Sequence, residues 1–207
     1  MRRNRTLGSA RTALRVPSQE AMGLEPMDLE TMRTFLALDV SQEAKVELSR
    51  LSGVLKASCH GSFCTPQSYH MTLAFLGEIT QDEADTLRDV LEGELEGHEP
   101  FNLTLCRLGY FAQPESATVF CSTAKEPRLD QLAALTYRAA WDCGIDFDAK
   151  KFRAHITLGR RIDTRGTRLD AVEVHPVSFP VSGVTLYKST LHPTGPVYET
   201  LAFEPFT

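Results

Sequence analysis

The sequence contains the tripeptide pattern His-x-Thr twice, at residues 70–72 and at residues 155–157, and a leucine follows each copy. Each copy lies in a short apolar run, so strands are predicted over Tyr69–Leu76 and Phe152–Leu158. The two histidines are 85 residues apart, and each follows a segment that contains a predicted helix. This arrangement predicts a fold of two related halves that face each other.

Strand geometry determines which side chains of each copy act together. Side chains at positions i and i+2 of a strand project from the same face. His70 and Thr72 therefore share one face of their strand, and His155 and Thr157 share one face of theirs. The aliphatic residues between them point the other way, as expected for a strand that separates a polar cleft from an apolar core.

The paired residue types predict acid–base chemistry on a phosphate ester. Histidine titrates near physiological pH, so one imidazole can accept a proton while the other donates one to a leaving oxygen. Threonine hydroxyls can donate hydrogen bonds to non-bridging phosphate oxygens. A single His-x-Thr copy fits a structural or surface histidine equally well, but two copies in matching contexts favour one shared site. This chemistry requires no metal and no cofactor.

Other sequence patterns predict a mixed arrangement of strands and helices. Helices are predicted from an N-cap at Ser41 to about residue 57, over residues 81–96, and from Pro127 to about residue 143. The charged segment 159–176 is predicted to be an exposed loop. The remaining strands are predicted over Thr34–Val40, Phe101–Leu108, Ala117–Ser122, Val177–Lys188 and Val197–Phe203.

Composition limits the class of protein and of substrate. Of 207 residues, 42% are hydrophobic and 24% charged, which is typical of a globular protein, and no apolar run is long enough for a membrane helix. Five of the 22 basic residues lie in residues 1–16, which leaves 17 basic against 27 acidic residues, a net charge of −10. That balance argues against coating of long duplex nucleic acid and favours a small or terminal substrate. Five scattered cysteines predict reduced thiols and a cytoplasmic location.

The arginine-rich segment 1–31 is open to three interpretations. It fits a targeting peptide, a nucleic-acid-binding arm, or an upstream extension of the reading frame with translation starting near Met27 or Met32. The third is favoured because Met32 directly precedes the first predicted strand. Residues 32–207 are then predicted to form a single domain.

Both motifs, in their extended form, resemble the paired signatures of the 2H phosphoesterases. Within that superfamily, the sequence is most similar to the RNA 2′,3′-cyclic phosphodiesterases, also called the LigT-like or 2′-5′ RNA ligase group. The resemblance extends from about residue 32 to residue 206. The segments that carry it are His70–Gly77, His155–Arg160, Arg33–Leu38, Leu186–Leu191 and Gly195–Tyr198.

The resemblance implies a fold and a reaction. The fold is α+β and bilobal, with two pseudo-symmetric lobes whose antiparallel sheets flank a central cleft and whose helices lie outside. The implied enzyme acts on RNA 3′ ends or small cyclic nucleotides, and we expect it to be a monomer, although the sequence itself leaves the oligomeric state open. Water opens the 2′,3′-cyclic phosphate and a 2′-phosphomonoester results.

The resemblance also assigns roles to individual residues. His70 and His155 are the catalytic pair, with His155 expected as the base and His70 as the acid. Thr72 and Thr157 bind the phosphate.

Two further positions carry over from the family. Phe75 is expected to stack on the terminal base, although strict alternation would make it a core aromatic facing away from His70. Arg160 is expected to bind phosphate, and Arg153 and Arg161 compete for that role. The chain departs from the family pattern at Ala154, where proline is usual, and at residues 62–64, where an aromatic residue is common in the loop before the first motif.

Other functions fit the same residues. One is a phosphodiesterase for ADP-ribose cyclic phosphate or 2′-5′-linked oligonucleotides, and another is a non-catalytic module that binds RNA ends or nucleotides. Ligation of RNA ends, the reverse reaction, is compatible with the site.

Overall fold

The computed structural model describes residues 30–147, 150–193 and 195–207. Along these residues the chain forms nine strands and three α-helices, with short 3-10 turns at Pro66–Ser68 and Leu169–Ala171. In chain order they are β1 Thr31–Asp39, α1 Gln42–Lys56, β2 His60–Phe63, β3 His70–Thr80, α2 Gln81–Leu95, β4 Phe101–Ala112, β5 Ala117–Thr123, α3 Pro127–Asp142, β6 Ile156–Asp163, β7 Ser178–Val181, β8 Gly183–His192 and β9 Gly195–Pro205.

Local sequence signals fix the starts of the helices. The Ser41 hydroxyl accepts a hydrogen bond from the Ala44 amide at the start of α1, at 3.3 Å. A capping box starts α2, because the Glu83 amide donates to the Thr80 hydroxyl and the Glu83 carboxylate accepts from the Thr80 amide. Pro127 occupies the first turn of α3. The three predicted helices are therefore confirmed, and each ends one residue earlier than predicted.

The strands form two antiparallel sheets with matching strand orders. The first sheet has the order β3-β1-β8-β9 and the second the order β2-β6-β5-β4-β7. The second sheet has β2 as an additional edge strand. Its other four strands, β6-β5-β4-β7, correspond in order to β3-β1-β8-β9 of the first sheet. Helix α1 lies between β1 and β3 in the chain as α3 lies between β5 and β6. The predicted α+β fold with two pseudo-symmetric lobes is confirmed, and the two His-x-Thr strands, β3 and β6, are equivalent.

One continuous hydrophobic core underlies both sheets and the buried sides of the helices. Met71 and Leu73 of β3 belong to it, and so do Ile156 and Leu158 of β6, each at most 2% exposed. The opposite faces of β3 and β6 carry the polar residues of the two motifs. The two strands contact each other although they belong to different sheets, which brings these polar faces to one place.

The strand that carries the second motif begins later than predicted. Its pairing with β5 starts at Ile156, opposite Cys121, rather than at Phe152. The Arg153 carbonyl before it accepts a hydrogen bond from the His155 ring. That side-chain contact takes the place of a strand pairing there, so His155 lies just before the strand.

The same strand also ends later than predicted. Residues 159–163, predicted as the start of a loop, continue β6 between β5 and β2. Ile162 is their one aliphatic residue and is fully buried, and a single apolar position is too little for a periodic pattern. The partner strand, His60–Phe63, has one apolar residue, Phe63, and is not among the predicted strands.

The predicted strand Val177–Lys188 is two strands in different sheets. β7 ends at Val181 in the second sheet, and β8 begins at Gly183 in the first. A Cβ atom on Gly183 would lie 2.4 Å from the Glu204 carbonyl oxygen, so this crossing point requires glycine. Apolar residues lie on both sides of the crossing, so the sequence pattern predicts one strand where the structure has two.

The N-terminal prediction falls mostly outside the described residues. Of the predicted extension 1–31, only residues 30 and 31 are described, and Thr31 already belongs to β1.

All five cysteines are free thiols. Within the described parts of the chain, none of the helices has the length and apolarity needed to cross a membrane.

Candidate active site

His70 stands at the first position of β3, and its ring is oriented by the backbone. Its Nδ1 lies 2.8 Å from the Ser68 carbonyl oxygen. A carbonyl can only accept, so Nδ1 carries the hydrogen and the lone pair of the neutral ring is on Nε2. No described residue forms a hydrogen bond with this Nε2, which leaves it free for a substrate or water.

His155 repeats this arrangement in the other lobe. Its Nδ1 lies 2.6 Å from the Arg153 carbonyl oxygen, again two residues earlier in the chain. The ring is therefore held in the same tautomer, and its Nε2 also has no hydrogen-bond partner among residues 30–147, 150–193 and 195–207. The two imidazoles thus present the same nitrogen from equivalent positions.

Aromatic rings enclose both imidazoles. The centroid of the His70 ring lies 4.8 Å from that of Phe35 and 4.9 Å from that of Tyr198, and the Tyr198 ring meets it edge-on. The His155 ring meets Phe111 edge-on at 5.0 Å and Phe120 at 5.4 Å. These contacts restrict rotation of each imidazole and exclude water from its faces.

The threonines share the faces of their histidines, as predicted. Exposure alternates along both motifs, so that His70 and Thr72, and likewise His155 and Thr157, are partly exposed while the intervening residues are buried. Neither threonine hydroxyl forms a hydrogen bond within the described part of the chain. Both hydroxyls are available to a ligand.

Phe75 also lies on the face of the first motif, because β3 contains a bulge. In the pairing of β1 with β3, Leu73 opposes no residue of β1. Beyond such a bulge the alternation reverses, so Ala74 is buried while Phe75 is 54% exposed on the side of His70 and Thr72. The alternative interpretation of Phe75 as a core aromatic is wrong.

Burial and positive charge keep both imidazoles neutral. The pKa of His70 is lowered to about 4, chiefly by burial and also by the charges of Arg160 and His155. The pKa of His155 is lowered by burial and then by Arg160 and Arg153. Since Arg160 acts on both rings and His155 acts on His70, the structure brings these three groups into one electrostatic site.

The two competing arginines are engaged elsewhere. Arg161 donates to the Ser62 hydroxyl on β2 at 3.2 Å. Arg153 lies over the Phe111 ring at 4.6 Å, and its charge affects His155 but not His70. Arg160 is the arginine whose charge acts on both imidazoles.

The lowered pKa of His70 predicts a loss of stability in acid. In the unfolded chain His70 binds a proton below about pH 6.5, whereas in the folded protein it stays neutral down to about pH 4. The free energy of unfolding should therefore fall as the pH drops through this window, by roughly 2–4 kcal/mol from this residue. Thermal unfolding at pH 7 and at pH 4.5 should show a smaller loss for His70→Gln than for the wild type.

The exposed His60 on β2 provides the matched control, because it lies outside the site formed by His70, His155 and Arg160. His60→Gln should keep the wild-type pH dependence. Carboxylates titrate in the same window in all three proteins, so the comparison isolates the imidazole. An identical pH dependence in wild type and His70→Gln would contradict burial of a neutral His70.

Apart from Phe75, the aromatic residues around the site were not singled out from the sequence. Phe35 pairs with Phe75 on one side and with Tyr187 on the other, which makes an aromatic row across three strands. The Phe35 and Tyr187 rings stack at 5.2 Å. Strand pairing alone creates this row, so no local signal could reveal it.

Among the described residues, no group of three His, Cys, Asp or Glu side chains is placed to hold a metal ion.

Comparison with known proteins agrees with this architecture. Residues 41–193 match the model of the 2′-5′ RNA ligase superfamily. A Thermotoga maritima protein named RNA 2′,3′-cyclic phosphodiesterase is 30% identical over 175 residues, which cover 82% of this chain and 93% of the relative. An Archaeoglobus fulgidus protein of the same name is 30% identical over 179 residues, covering 82% and 98%.

Solved structures give the same result. The crystal structure of Escherichia coli LigT complexed with 3′-AMP superimposes with a TM-score of 0.71 at 27% identity, covering 86% of this chain and 99% of the other. A crystal structure of a Thermus thermophilus protein gives a TM-score of 0.68 at 28% identity, covering 84% and 98%. With most of its length matched by the family model and by relatives of similar size, the chain belongs to the 2′-5′ RNA ligase superfamily, as its paired His-x-Thr motifs predict.

Proposed function

We propose that this protein hydrolyses the 2′,3′-cyclic phosphate at RNA 3′ ends to a 2′-phosphomonoester. The observation that carries the proposal is the pair of equivalent imidazoles, each with Nδ1 bonded to a backbone carbonyl and Nε2 free. With two such groups in one cleft, one imidazole can accept a proton from water and the other can donate a proton to the leaving oxygen. The names of the relatives point to the same reaction.

The proposed reaction is an in-line displacement at phosphorus. His155 Nε2 takes a proton from water while the water oxygen bonds to phosphorus. The bond from phosphorus to O3′ breaks, and His70, which takes up a proton at Nε2 when the anionic phosphate binds, gives that proton to O3′. The products are a free 3′-hydroxyl and a phosphate on the 2′-oxygen.

The surrounding charges support this division of roles. Asp39 is the cross-strand partner of His70, and its negative charge partly opposes the lowering of the His70 pKa by burial, Arg160 and His155. His155 has Arg153 and Arg160 near it, and both lower its pKa. A carboxylate beside His70 stabilises the protonated form of that ring, as a bound anionic phosphate would, and this favours His70 as the acid and His155 as the base.

The remaining groups of the site suit a phosphate with a base attached. The free hydroxyls of Thr72 and Thr157 and the guanidinium of Arg160 can donate to non-bridging oxygens, where charge builds up in the transition state. Phe75 presents an exposed ring on the same face. Stacking on such a ring would hold the terminal base.

Turnover of a nucleoside 2′,3′-cyclic phosphate by the purified protein tests the proposal. We expect a 2′-phosphomonoester as the product, identified by chromatography against 2′- and 3′-phosphate standards. ADP-ribose cyclic phosphate and a 2′-5′-linked dinucleotide should be assayed side by side. Faster turnover of either would change the substrate, and tight binding of all three without turnover would indicate a binding module instead.

A further inference from the structure

A second cavity adjoins the proposed active site on the second sheet. It has a volume of about 1060 Å³ and lies between strands β4 and β5 and the segment 164–174. Phe120, whose ring contacts His155, forms part of its wall, and so do Arg153 and Ala154 directly before His155. The cavity therefore continues the cleft beyond His155, and none of the groups assigned to the reaction fills it.

Its lining combines cations, an aromatic ring and an unsatisfied hydroxyl. Arg107 lines the cavity and forms no ion pair with any described residue. Arg168 lines it as well and is paired with Asp170, the one acidic residue of the described wall. Tyr110 is 54% exposed. The Thr123 Oγ1 atom is buried in this wall and has no hydrogen-bond partner among the described residues.

This combination matches single-stranded nucleic acid. Cationic side chains that follow a phosphate backbone, together with an aromatic ring for a base, are the usual elements of such sites. The volume lies just above the range of about 300–1,000 Å³ seen for sites that hold one small ligand. A nucleotide is a ligand of that class.

The cavity lies beside His155, where the proposed reaction takes place, so its content depends on the length of the substrate. A water molecule that attacks the cyclic phosphate needs no space of this size. A mononucleotide with its phosphate at the two histidines and its base on Phe75, as proposed above, would leave the cavity empty. An RNA end differs from a mononucleotide because the chain continues through its 5′ phosphate. We propose, on the basis of the proposed function, that this cavity binds the nucleotide preceding the cyclic phosphate, with its phosphate at Arg107 and its base at Tyr110.

The test compares a nucleoside 2′,3′-cyclic phosphate with a dinucleotide that ends in one. We expect the wild type to have a higher kcat/KM for the dinucleotide, with a steeper decrease as salt is raised. Arg107→Gln should lower kcat/KM for the dinucleotide about tenfold and change that for the mononucleotide less than about twofold. Arg138→Gln, the same charge change on the outer helix α3, should alter neither.

Equilibrium binding separates this proposal from the proposed function. A dinucleotide and a mononucleotide, each ending in a 3′-phosphate, should differ in Kd for the wild type and converge in Arg107→Gln, whether or not the protein turns over. Equal kcat/KM and equal Kd for the two lengths in the wild type would overturn the cavity proposal while leaving the hydrolase intact. Equal losses on both lengths in Arg107→Gln and in the milder Arg107→Lys would overturn it too. Absence of hydrolysis with length-dependent binding would overturn the reaction and support the subsite.

Discussion

Replacement of either His70 or His155 by alanine is expected to lower kcat/KM for a nucleoside 2′,3′-cyclic phosphate by about 10²–10⁴-fold, the range for loss of a general acid or base. Each variant retains one imidazole with a free Nε2, but a displacement that needs both proton transfers cannot use one alone. The double variant should be only slightly less active than either single variant, because groups that act as a unit are not additive. Initial rates at several substrate concentrations provide the measurement.

His60→Ala is the control, because it removes an exposed imidazole of β2 that lies outside the proposed active site. His70 also packs against Phe35 and Tyr198, so its loss costs some stability. Circular dichroism melts should therefore confirm that each variant is folded at the assay temperature. Near wild-type activity in folded His70→Ala or His155→Ala would exclude the paired mechanism.

Local chemistry in the sequence was sufficient to locate the two motifs and the shared face of each. The period of two in a strand places Thr72 with His70, and Thr157 with His155, without knowledge of the rest of the chain. Helix starts were equally readable, because Ser41 and Pro127 act within one turn. These features depend on residues at most a few positions apart.

Features that depend on pairing between distant strands were not readable. The bulge at Leu73 arises from the register of β3 against β1, and it reverses the face on which Phe75 lies. The aromatic contacts of His155 come from Phe111 and Phe120, on strands β4 and β5. The lowered pKa values follow from this burial, so the acid–base properties of the site come from the tertiary fold rather than from the motifs.

Arg160→Gln is the second change with a large expected effect, and it tests the electrostatics of the site. Loss of a charge-assisted hydrogen bond to phosphate removes about 1.5–3 kcal/mol, which corresponds to a roughly 10- to 100-fold decrease in kcat/KM. The same change removes a charge that lowers the pKa of both His70 and His155. The acidic limb of the pH profile of kcat/KM should therefore move to higher pH, because the base must be neutral to act.

Two matched variants separate the charge of Arg160 from its shape. Arg160→Lys keeps the charge but loses the bidentate geometry, so kcat/KM should fall while the acidic limb stays in place. Arg161→Gln makes the same charge change one residue away, on a side chain that donates to Ser62, and should leave both the rate and the profile near those of the wild type. If Arg160→Gln and Arg161→Gln have equal effects, the contribution of Arg160 is general surface charge and phosphate binding must be assigned elsewhere. If Arg160→Gln lowers the rate without moving the limb, Arg160 binds the substrate but does not set the protonation of the two histidines.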